Sequence, residues 1–210
     1  SFEIPKQKKC HFTVISLSEN QINYCREKAK KNGFSNQVDF KLIDYRELEG
    51  QFDKIVSIGM FEHVGKKFYN SFFNNVNRLL KPDGNFLLHT ISTIEKPGPG
   101  NEFIGRYIFP GGVVPSFSEL IKPIENAKLI VSDCETLIRH YDKTLECWLD
   151  RFQEKAEIVK NLYDEKFYRM WEFYLASCSA AFRFRDLCVV QLSIVKNFKS
   201  APQTRDYIYS

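Results

Sequence analysis

The chain has 210 residues, a formal net charge of +4, and 43% hydrophobic against 27% charged residues. That length accommodates one domain with a substantial core, or one domain with a helical appendage. The small charge, with no basic run interleaved with aromatics, argues against a nucleic-acid partner.

In chain order, HFTVIS (11–16) reads as a short strand and LSENQINYCREKAKKNG as a helix. Ser18 is its N-cap, Gln21 the N3 residue of a capping box, and Gly33 its C-terminal stop. VDFKLID (38–44) is a second strand. FDKIVSIG (52–59) is a third, with the near-continuous apolar run of a strand buried on both faces. KKFYNSFFNNVNRLL places Phe68, Phe72, Val76 and Leu79 at helical spacing and ends at the Lys81-Pro82-Asp83-Gly84 turn. NFLLHTIS (85–92) is a fourth strand. This alternation predicts an α/β protein with a doubly wound, mostly parallel sheet. Ligands of such sheets bind beyond the carboxyl ends of the strands. There the chain carries Ser16, Leu17, Asp44, Tyr45, Ile58, Gly59, Glu62, His89 and Ile91.

Residues 93–115 break the regularity, with prolines and glycines around Phe103, Tyr107, Ile108 and Phe109. A connector of that length reads as a lid or a binding loop, and Phe103, Ile108 and Phe109 are candidates to touch a membrane surface. SFSELIKPIENA then reads as a helix and KLIVSDCETL as a strand. TLECWLDRFQEKAEIVKNL and EKFYRMWEFYLASCSAAFRFR read as two long helices, and DLCVVQLSIVKN as a closing β segment.

The six cysteines show neither a CxxC pair nor metal-ligand spacing, and read as reduced, packed thiols. The 19 Phe residues fit a Phe-rich core and an apolar pocket equally well. Lys6, Lys8 and Lys9 are compatible with weak attraction to an anionic membrane surface, or with a solvated face. No apolar stretch is long enough to span a bilayer and no signal-peptide pattern opens the sequence. The start SFEIPKQKKC, without Met, reads as a fragment or a processed form.

VSIGMFEHVG, RYIFPGG with VPS, HYDKTL with W, and YLASCSAAFRFRD occur in this order. Together they resemble the cyclopropane-fatty-acyl-phospholipid synthase family, which includes the mycolic acid cyclopropane synthases, from about residue 12 to residue 195. The resemblance implies a class I, Rossmann-like S-adenosylmethionine-dependent methyltransferase that adds a methylene bridge across a cis double bond in a membrane phospholipid. It also implies that this chain is the C-terminal part of the family's sequence, a partial domain over 1–210. The family's first strand, its Gly-rich loop and its N-terminal helices have no counterpart here. Residues 93–115 become a lid or substrate loop, and the long helices of 142–184 a lipid-binding cover for the acyl pocket. A cytoplasmic enzyme, peripheral at the inner membrane face and with a homodimer as an assembly open to it, is the implied setting.

Carried over residue by residue, Ser16, Leu17, Gln21, Asp44, Tyr45, Ile58 and Gly59 are implied cofactor contacts. Helix capping explains Ser16 and Gln21 as well, and a solvated strand end explains Asp44. A bound bicarbonate is the implied base, held by Glu62, His89, Tyr141 and the Ile91 amide. On residue type alone, Glu62 is also a helix N-terminal acid favoured by the dipole, His89 a satisfied core histidine, and His63 a cap or packing residue. Cys178 matches a cysteine treated in the family as an active-site candidate, yet its aromatic surroundings describe a packed thiol. Aromatic faces suit a transient carbocation. Two other readings stay open: a related lipid C-methyltransferase, and a non-catalytic remnant or partner subunit.

Overall fold

The computed structural model describes residues 10–209; Lys6, Lys8 and Lys9 lie outside them. The chain forms two compact units, residues 1–50 and 51–210.

In the first unit, β1 (Phe12–Ser16) and β2 (Val38–Leu42) pair in parallel, with Phe12 opposite Val38 and Ser16 opposite Leu42. The connecting α1 (Glu19–Lys31) buries Ile22 and Ala29. Ser18 caps it, its Oγ accepting from the Gln21 amide at 3.3 Å. The expected capping box does not close. Ser16 Oγ accepts the Ser18 N–H at 3.1 Å and donates to Gln21 Oε1 at 2.9 Å, so the Gln21 side chain faces Ser16. At the other end Phe34 N donates to Ala29 O at 2.9 Å and Gly33 N to Lys30 O at 3.2 Å. That pair of bonds needs a left-handed residue, and Gly33 supplies it with φ +76°.

The second unit is a four-stranded sheet in the order β3-β4-β6-β5. β3 (Phe52–Ile58) and β4 (Leu80–Thr93) are joined by α2 (Tyr69–Leu79) and run parallel. After α3 (Phe117–Asn126) come β5 (Ile130–Leu137), then α4 (His140–Gln153), α5 (Ala156–Leu162) and α6 (Glu165–Phe184), and finally β6 (Leu187–Val195). β6 inserts between β4 and β5, antiparallel to both. The sheet is therefore mixed, because an apolar run marks a strand without marking its direction.

Three expectations are corrected here. β3 is an edge strand, with Val56 52% and Ile58 62% exposed, and is not buried on both faces. The Lys81–Gly84 turn interrupts β4 and does not precede it: Leu80 aligns with Phe52, four residues loop out, and pairing resumes at Asn85 opposite Lys54. The expected helix over 144–162 is two helices. At Lys155 the ladder tightens to a bond with Phe152 O at 3.1 Å, and it restarts at Ala156. Asp164 then caps α6 through the Phe167 amide.

β4 alternates cleanly. Phe86, Leu88, Thr90 and Ser92 are wholly buried, while Leu87, His89, Ile91 and Thr93 on the opposite face are half-buried. The first face packs on α2: Phe72 lies 6.1 Å from Phe86, and Phe61, Phe72 and Phe73 form edge-on and tilted pairs at 5.0–5.6 Å. Each such buried ring stabilises the fold by roughly 1.5–3 kcal/mol. Ile91, on the second face, packs against a cluster formed by Leu145 of α4, Tyr174, Leu175 and Phe182 of α6, and Val189 of β6.

Candidate active site

β3 ends at Ile58, and Gly59, at φ +62°, turns the chain away while its N–H donates to His89 O at 3.0 Å. A short 3-10 turn, Phe61–His63, follows. Phe61 is fully buried against Tyr69 at 4.5 Å, which anchors the turn and fixes where Glu62 emerges.

Because β3 stops there, β4 outruns it, and the Ile91 N–H has no strand partner on that side. Glu62 takes the bond: Ile91 N donates to Glu62 Oε1 at 2.7 Å. Glu62 Oε2 is buried and has no hydrogen-bond partner among the described residues. A carboxylate oxygen in that state is costly unless a ligand or water satisfies it. The Pro/Gly loop is tied to the same turn, since Val113 N donates to Glu62 O at 2.8 Å.

Tyr141 stands in the first turn of α4, stacked on Phe182 with ring centroids 5.0 Å apart and edge-on to Trp148 at 6.0 Å. Burial raises its phenol above the ordinary tyrosine value, and the Glu62 carboxylate adds to the effect. The same two causes act on Tyr69, where burial leads and Glu119 precedes Glu62. α4 is locked to α6 by Asp142, buried beside Tyr141. Asp142 accepts from Ser179 Oγ at 2.8 Å and from Arg183 Nε at 2.9 Å, and Arg183 also pairs with Glu146.

His89 lies two residues before Ile91 on the same face of β4. Its Nδ1 faces Gln191 Oε1 at 3.2 Å, and Gln191 Nε2 donates to Glu135 Oε2 at 2.8 Å. Cys178 packs against the aromatic cluster of α4 and α6. Burial pushes its thiol up to about 11, the opposite of what a thiolate nucleophile requires. In the loop, Phe103 packs edge-on to Phe173 at 4.9 Å and Ile108 joins the same cluster, so of the three expected membrane contacts Phe109, at 44%, is the exposed one.

In the first unit, Ser16 ends β1 with Leu17 and Gln21 after it, while Asp44 and Tyr45 follow β2. Both groups sit at the carboxyl end of the parallel pair. Leu17 is 74% exposed. Asp44 holds Arg46 through Nε at 2.8 Å and Nη2 at 2.7 Å, and this guanidinium keeps its carboxyl below the usual range. Burial raises Tyr45. Ile58 and Gly59 belong to the second unit.

The structure thus brings Glu62, Ile91 and Tyr141 together with Cys178 at their rim, and sets His89 beside Ile91. Two polar partners escaped the sequence reading, Gln191 and Glu135. The only signal was a lone amide in the apolar run LCVVQLSIV.

A sheet with parallel strands on one side of an inserted antiparallel strand, with ionisable groups where β3 ends, is a Rossmann-like methyltransferase arrangement. The mycolic acid cyclopropane synthase CmaA1, solved with S-adenosylhomocysteine and CTAB, matches with a TM-score of 0.80 at 30% identity, over 88% of this chain and 69% of that one. The cyclopropane synthase MmaA2 from Mycobacterium tuberculosis matches with a TM-score of 0.82 at 26% identity, over 90% and 71%. The cyclopropane-fatty-acyl-phospholipid synthase of Escherichia coli K12 is 38% identical over 178 residues, 85% of this chain and 45% of the relative. The Mycolic acid cyclopropane synthetase family model matches residues 6–192, and the chain belongs to that family. It spans about half the length of the curated relatives it matches.

Proposed function

We propose that the chain is part of an S-adenosylmethionine-dependent enzyme that cyclopropanates cis-unsaturated acyl chains of membrane phospholipids. The observation that carries this reading is the buried Glu62 Oε2 without a partner, next to the Ile91 amide and Tyr141, in a chain of this family.

Methyl transfer to an alkene leaves a carbocation in the acyl chain, and ring closure then requires loss of a proton from the new methyl group. S-adenosylmethionine supplies the methyl group and bicarbonate the base. Glu62 Oε2 fits bicarbonate because it can accept the anion's own O–H. Tyr141, kept as a phenol by burial, is a donor to the anion. The Ile91 amide already serves Glu62, so its part in this reading is to hold Glu62, and it serves the anion directly only if that carboxylate turns away. His89 accepts the proton onward. Cys178 and the rings of Tyr174 and Phe182 form an apolar wall, with aromatic faces that favour a cation. In the first unit, Asp44 keeps lone pairs beyond those used by Arg46 and is assigned to the adenine amine, with Tyr45 beside the ring. Ser16 and Gln21 are assigned to the ribose, and the exposed Leu17 to an apolar contact.

No helix among the described residues is long and apolar enough to cross a membrane. In this reading the substrate is reached from the bilayer surface, with the loop around the exposed Phe109 as its lid. The test is incubation of the full-length protein with methyl-labelled S-adenosylmethionine, bicarbonate and vesicles of cis-monounsaturated phospholipid. Label in a ring-bearing acyl chain is the expected result. Label in an open-chain methylated product would establish the lipid C-methyltransferase alternative, and cofactor binding without label in lipid would refute the catalytic reading.

A further inference from the structure

Three residues from three adjacent strands stand in one row. His89 on β4 is the register partner of Gln191 on β6, and Gln191 is the register partner of Glu135 on β5. Their side chains join across the strands, His89 Nδ1 to Gln191 Oε1 at 3.2 Å and Gln191 Nε2 to Glu135 Oε2 at 2.8 Å.

The order of donors along this row has only one consistent assignment. An ionised carboxylate accepts and cannot donate, so Glu135 takes an N–H of the Gln191 amide. A flipped amide would set oxygen against oxygen there. With its NH2 group held at Glu135, Gln191 presents Oε1 to the histidine, and that oxygen can only accept. The ring nitrogen facing it must carry hydrogen. In a neutral imidazole the other nitrogen then bears the lone pair, because the hydrogen bond at one nitrogen sets the state of the other.

We infer that Gln191, oriented by Glu135, is a positioning residue that fixes His89 in the Nδ1–H tautomer and leaves Nε2 as its proton-accepting nitrogen. The catalytic consequence rests on the role proposed above for His89; the tautomer does not.

The test is long-range proton–nitrogen NMR of the imidazoles in the full-length protein, recorded above the histidine titration so that the rings are neutral. The His89→Asn spectrum identifies the His89 signal by its loss. His89 should show a protonated Nδ1 and a pyridine-like Nε2. Gln191→Leu removes the acceptor and Glu135→Gln lets the amide flip; each should shift the ring towards a tautomer mixture. The double variant Glu135→Gln with Gln191→Glu moves the one negative charge to position 191, where the carboxylate accepts from Nδ1–H and from the new amide behind it, and should restore the Nδ1–H tautomer of the neutral ring. Gln191→Leu should also lower kcat by about tenfold or more with KM within about twofold. A protonated Nε2 in the wild type, or an unchanged tautomer in Gln191→Leu, would overturn the inference. A changed tautomer with unchanged turnover would remove His89 from the chemistry and leave the row as a structural device.

Discussion

Replacing Glu62 with Gln separates the charge of this side chain from its shape. The amide keeps an oxygen that can accept from Ile91 N–H, a bond of 2.7 Å in the wild type, but the acceptor becomes neutral. Hydrogen bonds to charged groups contribute about 1.5–3 kcal/mol net, against about 0.5–1.5 kcal/mol for neutral ones. The new NH2 group also enters the buried position where Oε2 has no partner. Together these changes should cost about 1–2 kcal/mol, which lowers Tm by roughly 2–8 °C for a domain of this size. Loss of a group that takes up or relays a proton is far larger in rate: roughly 10²–10⁴-fold in turnover, or about 2.7–5.5 kcal/mol in the barrier. The loss should appear in kcat and spare cofactor affinity, as for an interaction made in the transition state. Melting temperature, cofactor titration and lipid cyclopropanation measured on one preparation separate the two effects. Turnover within about threefold of wild type, with Tm lowered by a few degrees, would make Glu62 a structural acid and refute the reasoning.

A Cβ at Gly84 would meet Leu80 Cδ1 at 2.7 Å and Asp53 O at 3.0 Å; Leu80 is fully buried and cannot yield, so Gly84→Ala should cost about 1–3 kcal/mol, and an unchanged denaturant midpoint would contradict the close packing of the looped-out turn. Arg183 holds the Asp142 carboxyl below its usual range, so the pair's stability is present above the unfolded value near pH 4 and is lost as pH falls through the folded one. Asp142→Asn should therefore melt below the wild type at pH 6, and the gap should begin to narrow near pH 4 and close only below the folded value; a gap independent of pH would mean the ion pair adds nothing. Burial raises the Cys178 thiol to about 11 and shields it, so iodoacetamide at pH 8 should label exposed Cys147 faster than Cys178, and equal rates would contradict the packed-thiol assignment.

The strands and helices were legible because their apolar periods are local. α2 reads directly from Phe72, Val76 and Leu79, all buried as the spacing predicts, whereas Phe68, expected on the same face, precedes the helix and is exposed. What sequence could not supply was partnership. FDKIVSIG has the composition of a doubly covered strand, yet Val56 and Ile58 are exposed because β3 is hydrogen-bonded on one side only. Gln21 matched a capping box, but Ser16, five residues away in sequence, competed for the same groups and won them. At the site, Glu62 and His89 stood out as ionisable groups among apolar residues. The bond between Glu62 and Ile91 could not be read from residue types, because one partner is a backbone amide and isoleucine's side chain carries no mark of it. Gln191 lies 102 residues from His89 and became its partner only through the antiparallel insertion of β6, whose direction the apolar run does not encode.

The alternation of β4 explains why the candidate chemistry sits where it does. A strand presents successive side chains to opposite faces, and the two faces here have different environments. Phe86 and Leu88 face a packed aromatic layer in which an ionisable ring would lose its hydration with no compensating bond. His89 and Ile91 face the other way, where Gln191 can satisfy the imidazole and where Glu62 reaches the strand. A slip of one residue would exchange the faces, setting His89 into the phenylalanine layer and Leu88 opposite the polar row. The Lys81–Gly84 excursion leads into that register: four residues loop out between the pairs Phe52–Leu80 and Lys54–Asn85, Gly84 has no room for a side chain, and the ladder with β6 continues from Asn85–Val195 to Thr93–Leu187. The turn contributes no group to the proposed chemistry, and its length is expected to bear on the site through the β3–β4 register. A shortened turn that deletes one of residues 81–84 should impair turnover more severely than it impairs folding, because it can leave a paired sheet while moving His89 off the face that Glu62 approaches. Recovery of full turnover in such a deletion would show that the register is set elsewhere in the sheet.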